Sequence, residues 1–166
     1  MSSRLFQEIR EKRGMAYSVY SYHTMYTEAG LFSIYAGTTP SNAKEVVRVA
    51  RGQMEDLASG GLTDEELERA KGHVRGSLVL SLEDTSGRMS RIGRGEISHG
   101  EIMSVDELIA RTEAVTKEDA VAVAADVFSR PMALAVIGPF RKRDFAGDAG
   151  GGGGSEAVAA RGGAPR

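Results

Sequence analysis

The chain has 166 residues, 41% of them hydrophobic, with 21 Lys and Arg against 23 Asp and Glu, a net charge of −2 and no cysteine. That balance gives no electrostatic reason to expect nucleic acid or an anionic membrane as a partner. The missing cysteine excludes disulfides, thiolate zinc sites and cysteine nucleophiles, and reads as a reducing compartment or indifference to redox conditions, with a cytoplasmic setting the default expectation.

Residues 3–13 read as a helix. Leu5, Phe6 and Ile9 recur at one-turn spacing, and Glu8 and Lys12 form a supporting pair four apart. Lys12 and Arg13 before Gly14 mark its end, cations near the negative dipole end followed by a glycine able to turn left-handed. Residues 16–26 carry four tyrosines and read as a strand, with Tyr17, Val19, Ser21, His23 and Met25 expected on one face and Tyr20, Tyr22 and Tyr26 on the other. The stretch Thr27, Glu28, Ala29, Gly30 reads as a hairpin loop, and residues 31–37 as the antiparallel return.

Thr39 and Pro40 open the next helix, which runs through Ala43, Val46, Val47, Ala50, Met54 and Leu57 to a stop at Gly60 and Gly61. Three further helix starts are written as capping boxes or close variants, in which a hydroxyl and an acid three residues on each bond the other's backbone N–H. They are Thr63 with Glu66, Ser104 with Glu107, and Thr116 with Asp119. The helical region from residue 64 to 99 should break near residues 83–87, and the last helix must end by Pro131. "MALAVIG", residues 132–138, reads as a buried strand returning to the sheet. Helices gathered after a hairpin indicate an α+β fold, an antiparallel-rich sheet covered by helices. Residues 141–166 read as a disordered glycine-rich tail behind a domain of residues 1–140. No apolar run approaches the roughly 18 residues of a membrane span, and residues 1–10 have no signal-peptide core. Three strands are few for this many helices, so an upstream strand is expected, and the exposed sheet edge it would leave invites self-association.

His23, His73 and His99 fit no short-range metal-ligand pattern, and the expectation is ordinary surface or packing roles. Arg88, Arg91 and Arg94 form a basic helix edge, read first as a solvated face paired with acids and second as a wall for peptide carboxylates. Gly72 and Gly76, four apart in a helix, are read as permitting close helix packing. Arg10 and Tyr17 lie seven residues apart across the break at Gly14, within reach of each other. From spacing alone, Arg10 lies along the edge of the apolar face and Tyr17 is one of several strand aromatics.

The blocks "MSSRLFQEIREKRGMAYSVYS", "GLFSIYAGTTP", "LTDEELERAKGHVRGSLVLSLEDTSGRM", "SVDELI", "VTKEDAVAVA" and "LAVIGP" together resemble the C-terminal half of the pitrilysin-like zinc metallopeptidases, in the branch that includes the mitochondrial processing peptidase. The resemblance implies one incomplete half of a two-half clamshell protease for extended or unfolded peptides, with zinc held in the complementary half by an inverted H-x-x-E-H helix. This chain has no H-x-x-E-H, and family members carry at least one strand before the first block. It is therefore expected to be inactive alone, its partner a zinc-binding N-terminal half or a separate subunit. In family members the R-x(6)-Y pair reaches toward the zinc site and hydrogen-bonds substrate near the scissile bond; the matching residues here are Arg10 and Tyr17. The alternative reading is a non-catalytic structural or partner subunit of a heteromeric complex.

Overall fold

A computed structural model of the chain describes residues 3–26, 28–145 and 158–161. It is an α+β structure. A hairpin of β1 (Ala16–Met25) and β2 (Gly30–Thr38) follows a short opening helix, then come five α-helices and a second small sheet.

The opening helix is a π-helix, Phe6–Glu11, wider than the expected α-helix by one residue per turn: the Lys12 N–H donates to the Gln7 carbonyl at 2.9 Å, five residues back. Gly14 ends it with φ +59°, the left-handed conformation expected of it, and its N–H donates to the Arg10 carbonyl at 3.0 Å. Glu8 pairs with Lys12, as its spacing indicates, and with Arg13 as well.

β1 and β2 pair antiparallel, with Val19 opposite Ala36, Tyr20 opposite Tyr35 and His23 opposite Phe32. The face bearing Val19, Ile34 and Ala36 packs on α1 (Ala43–Ala58), which brings Val46, Val49 and Ala50. Ile9 enters the same cluster fully buried, with Ala16 beside it and Leu5 and Met15 around it. Helix and hairpin are thus tied to one core, and truncating Ile9 there would cost about 2–5 kcal/mol. Pro40–Asn42 forms a 3-10 turn before α1, and Gly60, at φ +93°, follows its end.

α2 (Asp64–Ser81), α4 (Val105–Ala114) and α5 (Lys117–Ser129) all begin with the reciprocal capping boxes expected of Thr63, Ser104 and Thr116. α3 (Thr85–His99) starts at the expected break, with the Asp84 carboxylate accepting from the Gly87 N–H at 3.0 Å. α5 packs against α1 and meets the hairpin through Phe128 and Phe32, whose rings lie 5.3 Å apart. α2 meets α4, where Arg75 pairs with Glu113 at 3.0 Å.

Several expectations are corrected. β3 (Leu134–Ile137) does not return to the hairpin and is not buried; it pairs in parallel with β4 (Val158–Arg161), and Ile137 is 90% exposed. An apolar run shows strand length but not which edge receives it. The tail does not begin at residue 141: Lys142–Phe145 form a 3-10 turn, Phe145 is fully buried edge-on against Phe140, and β4 is a strand. The rest of the predicted tail, residues 146–157 and 162–166, lies outside the described residues, as does Thr27 in the hairpin loop. Among the described residues a side chain at Gly72 or Gly76 would meet nothing within 4 Å, so neither glycine serves close packing there.

Candidate functional site at the helix and strand junction

The site is built on the six residues between Arg10 and Tyr17. On the helix side, the widened π turn carries Leu5 and Ile9 into the core and leaves Phe6 and Arg10 on the outer side. The Arg10 guanidinium lies over the Phe6 ring, 5.0 Å from its centroid. On the strand side, Ala16 pairs with Thr38 and Ser18 with Gly37, so Tyr17 is an extra residue in β1 with no partner opposite. Such a β-bulge turns a side chain out of the regular alternation. Ala16 and Val19 are both buried while Tyr17 is 86% exposed. The expectation that Tyr17 shares a face with Val19 is therefore corrected, because the inserted residue breaks the period of two.

The bulge brings Tyr17 to Arg10, whose guanidinium lies 5.6 Å from the Tyr17 ring centroid. Phe6, Arg10 and Tyr17 form one cation–π cluster. Such a contact draws the guanidinium charge to the ring faces and uses none of its N–H groups as hydrogen-bond donors. Neither those donors nor the Tyr17 hydroxyl has a hydrogen-bond partner among the described residues. Below them the junction is held from behind: the Thr38 hydroxyl donates to the Met15 carbonyl, and the Asn42 amide reaches the same oxygen at 3.5 Å.

The junction is anchored to the rest of the molecule through Arg4, which sequence reading missed. Its fork grips the Glu66 carboxylate at 2.6 Å through both Nε and Nη2, and also bonds Asp56 and the Gly61 carbonyl. The Arg4 hydrogen bond, opposed by burial and helped by Thr63, holds the Glu66 carboxyl at about 2, well below the usual carboxylate range. No local signal reveals such a partner 62 residues away.

The remaining candidates do not join this site. His23 lies on β1, His73 on α2 and His99 at the end of α3, and among the described residues no three His, Asp or Glu side chains are grouped to hold a metal. The residues described here therefore do not fit a zinc site. Among the described residues Arg88 and Arg91 are not paired with acids as expected: Arg88 donates to the Leu82 carbonyl and Arg91 to the Met103 carbonyl at 2.7 Å. Arg91 and Arg94 instead line a groove of about 440 Å³ between α3 and the segment before α4. None of the described helices is long and apolar enough to cross a membrane.

Residues 1–73 match the family described as Peptidase M16 inactive domain. An uncharacterized zinc protease of Streptomyces coelicolor is 52% identical over 143 residues, 86% of this chain and 31% of that protein. The uncharacterized zinc protease YmxG of Bacillus subtilis is 42% identical over 139 residues, 84% of this chain and 34% of its own length. The chain thus spans about a third of the curated relatives it matches. A conserved protein of Enterococcus faecalis superposes with a TM-score of 0.62 at 26% identity, over 75% of this chain and 28% of that one. A protease of Helicobacter pylori shares the fold, with a TM-score of 0.64 at 22% identity over 75% and 30%. Residues 1–73 thus carry the M16 inactive domain, and the relatives extend the likeness over most of the chain.

Proposed function

We propose that this chain is the substrate-binding half of a zinc metalloendopeptidase of the processing-peptidase branch, acting on extended or unfolded peptides and requiring a complementary half that carries H-x-x-E-H. A cytoplasmic setting, resting on the cysteine-free composition, is part of that reading. The carrying observation is the convergence of Arg10 and Tyr17 on one exposed rim with their donors unused. A guanidinium and a phenol fixed in this way hold a peptide carbonyl and stabilise negative charge developing on it. Zinc and the attacking water belong to the complementary half; what this chain's residues do is bind and orient. Phe6 holds the guanidinium in place, the bulge sets the Tyr17 direction, and Gly14 sets the angle between their elements.

The test is made on the complete protease or on the two halves combined. Arg10→Ala and Tyr17→Phe are each expected to lower kcat/KM by about 10- to 1,000-fold. Because both residues act on one carbonyl, the double variant should fall short of the product of the single effects. Arg13→Gln, just past the opening helix, and Tyr26→Phe, just past β1, both outside the cluster, serve as controls. A second reading, a structural subunit that pairs with an active one, is favoured by the description of the matched family as an inactive domain. Intact turnover with a lowered Tm in Arg10→Ala and Tyr17→Phe would select it.

A further inference from the structure

We propose that the outward face of the β1–β2 hairpin is a docking surface for apolar and aromatic side chains of an extended, uncharged peptide. The proposal takes its substrate class from the peptidase reading above and adds the surface.

One face of the hairpin packs on α1 and Phe128, while the other has no covering element among the described residues. On the open face Tyr20 stacks on Tyr35 across the strands, with centroids 5.1 Å apart and planes at 29°, and Tyr22 lies 6.0 Å from Tyr20. The three rings are 49%, 49% and 48% exposed. Ser18, Thr24, Ser33, Gly37 and the exposed Leu31 occupy the neighbouring positions of this face, and neither strand contains a single Lys, Arg, Asp or Glu. A sheet face that meets only water normally carries charge, and charge is also how exposed strands discourage adventitious pairing. Tyrosine with serine and threonine is instead the chemistry of surfaces that bind polypeptides. It offers wide rigid rings at little entropic cost, with hydroxyls to bond peptide amides.

The choice of a peptide over a second copy of the chain rests on continuity with the junction. β1 runs directly from Tyr17 into the aromatic cluster. At a strand's rise of about 3.3 Å per residue, Tyr20 and Tyr22 lie about 10 and 17 Å along from Tyr17. An extended peptide has the same rise. One whose carbonyl is held by Arg10 and Tyr17 sets side chains about three and five residues away over the rings. The absence of charge on the face selects neutral side chains there, and the ring faces select aromatic or long aliphatic ones.

The chain has five tyrosines and no tryptophan, so ring-labelled tyrosine NMR reads the surface directly on the full chain. The probes are two short extended peptides of one length, one with Phe and Leu at alternate positions and the other with Ser in their place. The apolar peptide is expected to shift the Tyr20, Tyr22 and Tyr35 rings and leave Tyr26 unmoved, with the serine peptide at least about tenfold weaker. Equal shifts with both peptides, or none at these rings, would overturn the proposal. So would concentration-dependent shifts at the same rings without peptide, which assign the face to a second copy. Tyr17 separates the two readings: the trio shifting without Tyr17 removes the carbonyl-holding role and leaves the surface, and Tyr17 shifting alone does the reverse. Tyr20→Ala combined with Tyr35→Ala should weaken the apolar peptide about tenfold or more. If that variant fails to fold, Tyr22→Ser, outside the stacked pair, should weaken it measurably, and unchanged binding would overturn the proposal.

Discussion

Arg4 and Glu66 meet in a two-pronged ion pair across 62 residues, both prongs at 2.6 Å, joining the opening helix to the first turn of α2. Glu66 is shared. The same carboxylate accepts from the Thr63 N–H and hydroxyl, each at 3.0 Å, so the cap of α2 and the anchor of the junction are one group. Removing Arg4 also leaves the Gly61 carbonyl without the Arg4 donor. Arg4→Ala is expected to destabilise the chain by about 1–3 kcal/mol. Thr63→Ala should cost about 1 kcal/mol. Because both residues act on Glu66, chemical denaturation of the double variant should show clear non-additivity.

The same group sets an acid limit. Its folded value of about 2 lies below the ordinary 4.5, so it contributes stability that is fully present above 4.5 and lost as pH falls toward 2. Tm against pH should drop across that window in the native chain. In Glu66→Gln the drop should be smaller, starting from a lower plateau. An unchanged acid limb in that variant would assign the loss to other carboxylates.

Gly14 has φ +59° and open space around the position of an added Cβ, so a substitution there meets backbone strain and no clash. Gly14→Ala should cost about 1–2 kcal/mol, and Gly14→Asn distinctly less, because Asn tolerates the left-handed region. Under the peptidase reading Gly14→Ala also lowers turnover more than its stability loss accounts for, since it changes the angle between Arg10 and Tyr17. Thermal melts and kcat/KM measured on the same preparations check both parts.

The outer edges of β1 and β2 have no paired strand among the described residues. Unpaired edges without charged side chains recruit other strands. Sedimentation should therefore show concentration-dependent self-association, suppressed by adding the complementary half. A strictly monomeric chain at high concentration would count against it.

Local chemistry was the legible part. Thr63, Ser104 and Thr116 each declare a helix start through a partner three residues away, and Gly14 declares a left-handed turn through its own missing Cβ. Other features leave no such mark. The Tyr17 bulge shows only in the register against β2, because an extra aromatic in a strand looks like any other strand residue. Arg4 was unreadable because its partners lie 52 to 62 residues off. The Arg88 and Arg91 edge was misassigned because a count of nearby acids does not reveal that backbone carbonyls are closer. Of the candidate site, the spacing of Arg10 and Tyr17 was visible, and the ring of Phe6 that holds the guanidinium was not.

The π turn before Gly14 and the bulge after it are each one residue longer than the regular element they interrupt. The junction is for that reason length-locked. Removing one residue from the helix replaces the five-residue hydrogen-bond step with the four-residue step of an α-helix and so changes where Arg10 stands relative to Tyr17. Removing Tyr17's extra place restores strict alternation and sends the following side chains to the opposite face. Substitution at surface positions nearby is tolerable, but a single insertion or deletion between Phe6 and Val19 is not, and in related chains the distance from Arg to Tyr is expected to hold constant while loop lengths elsewhere drift.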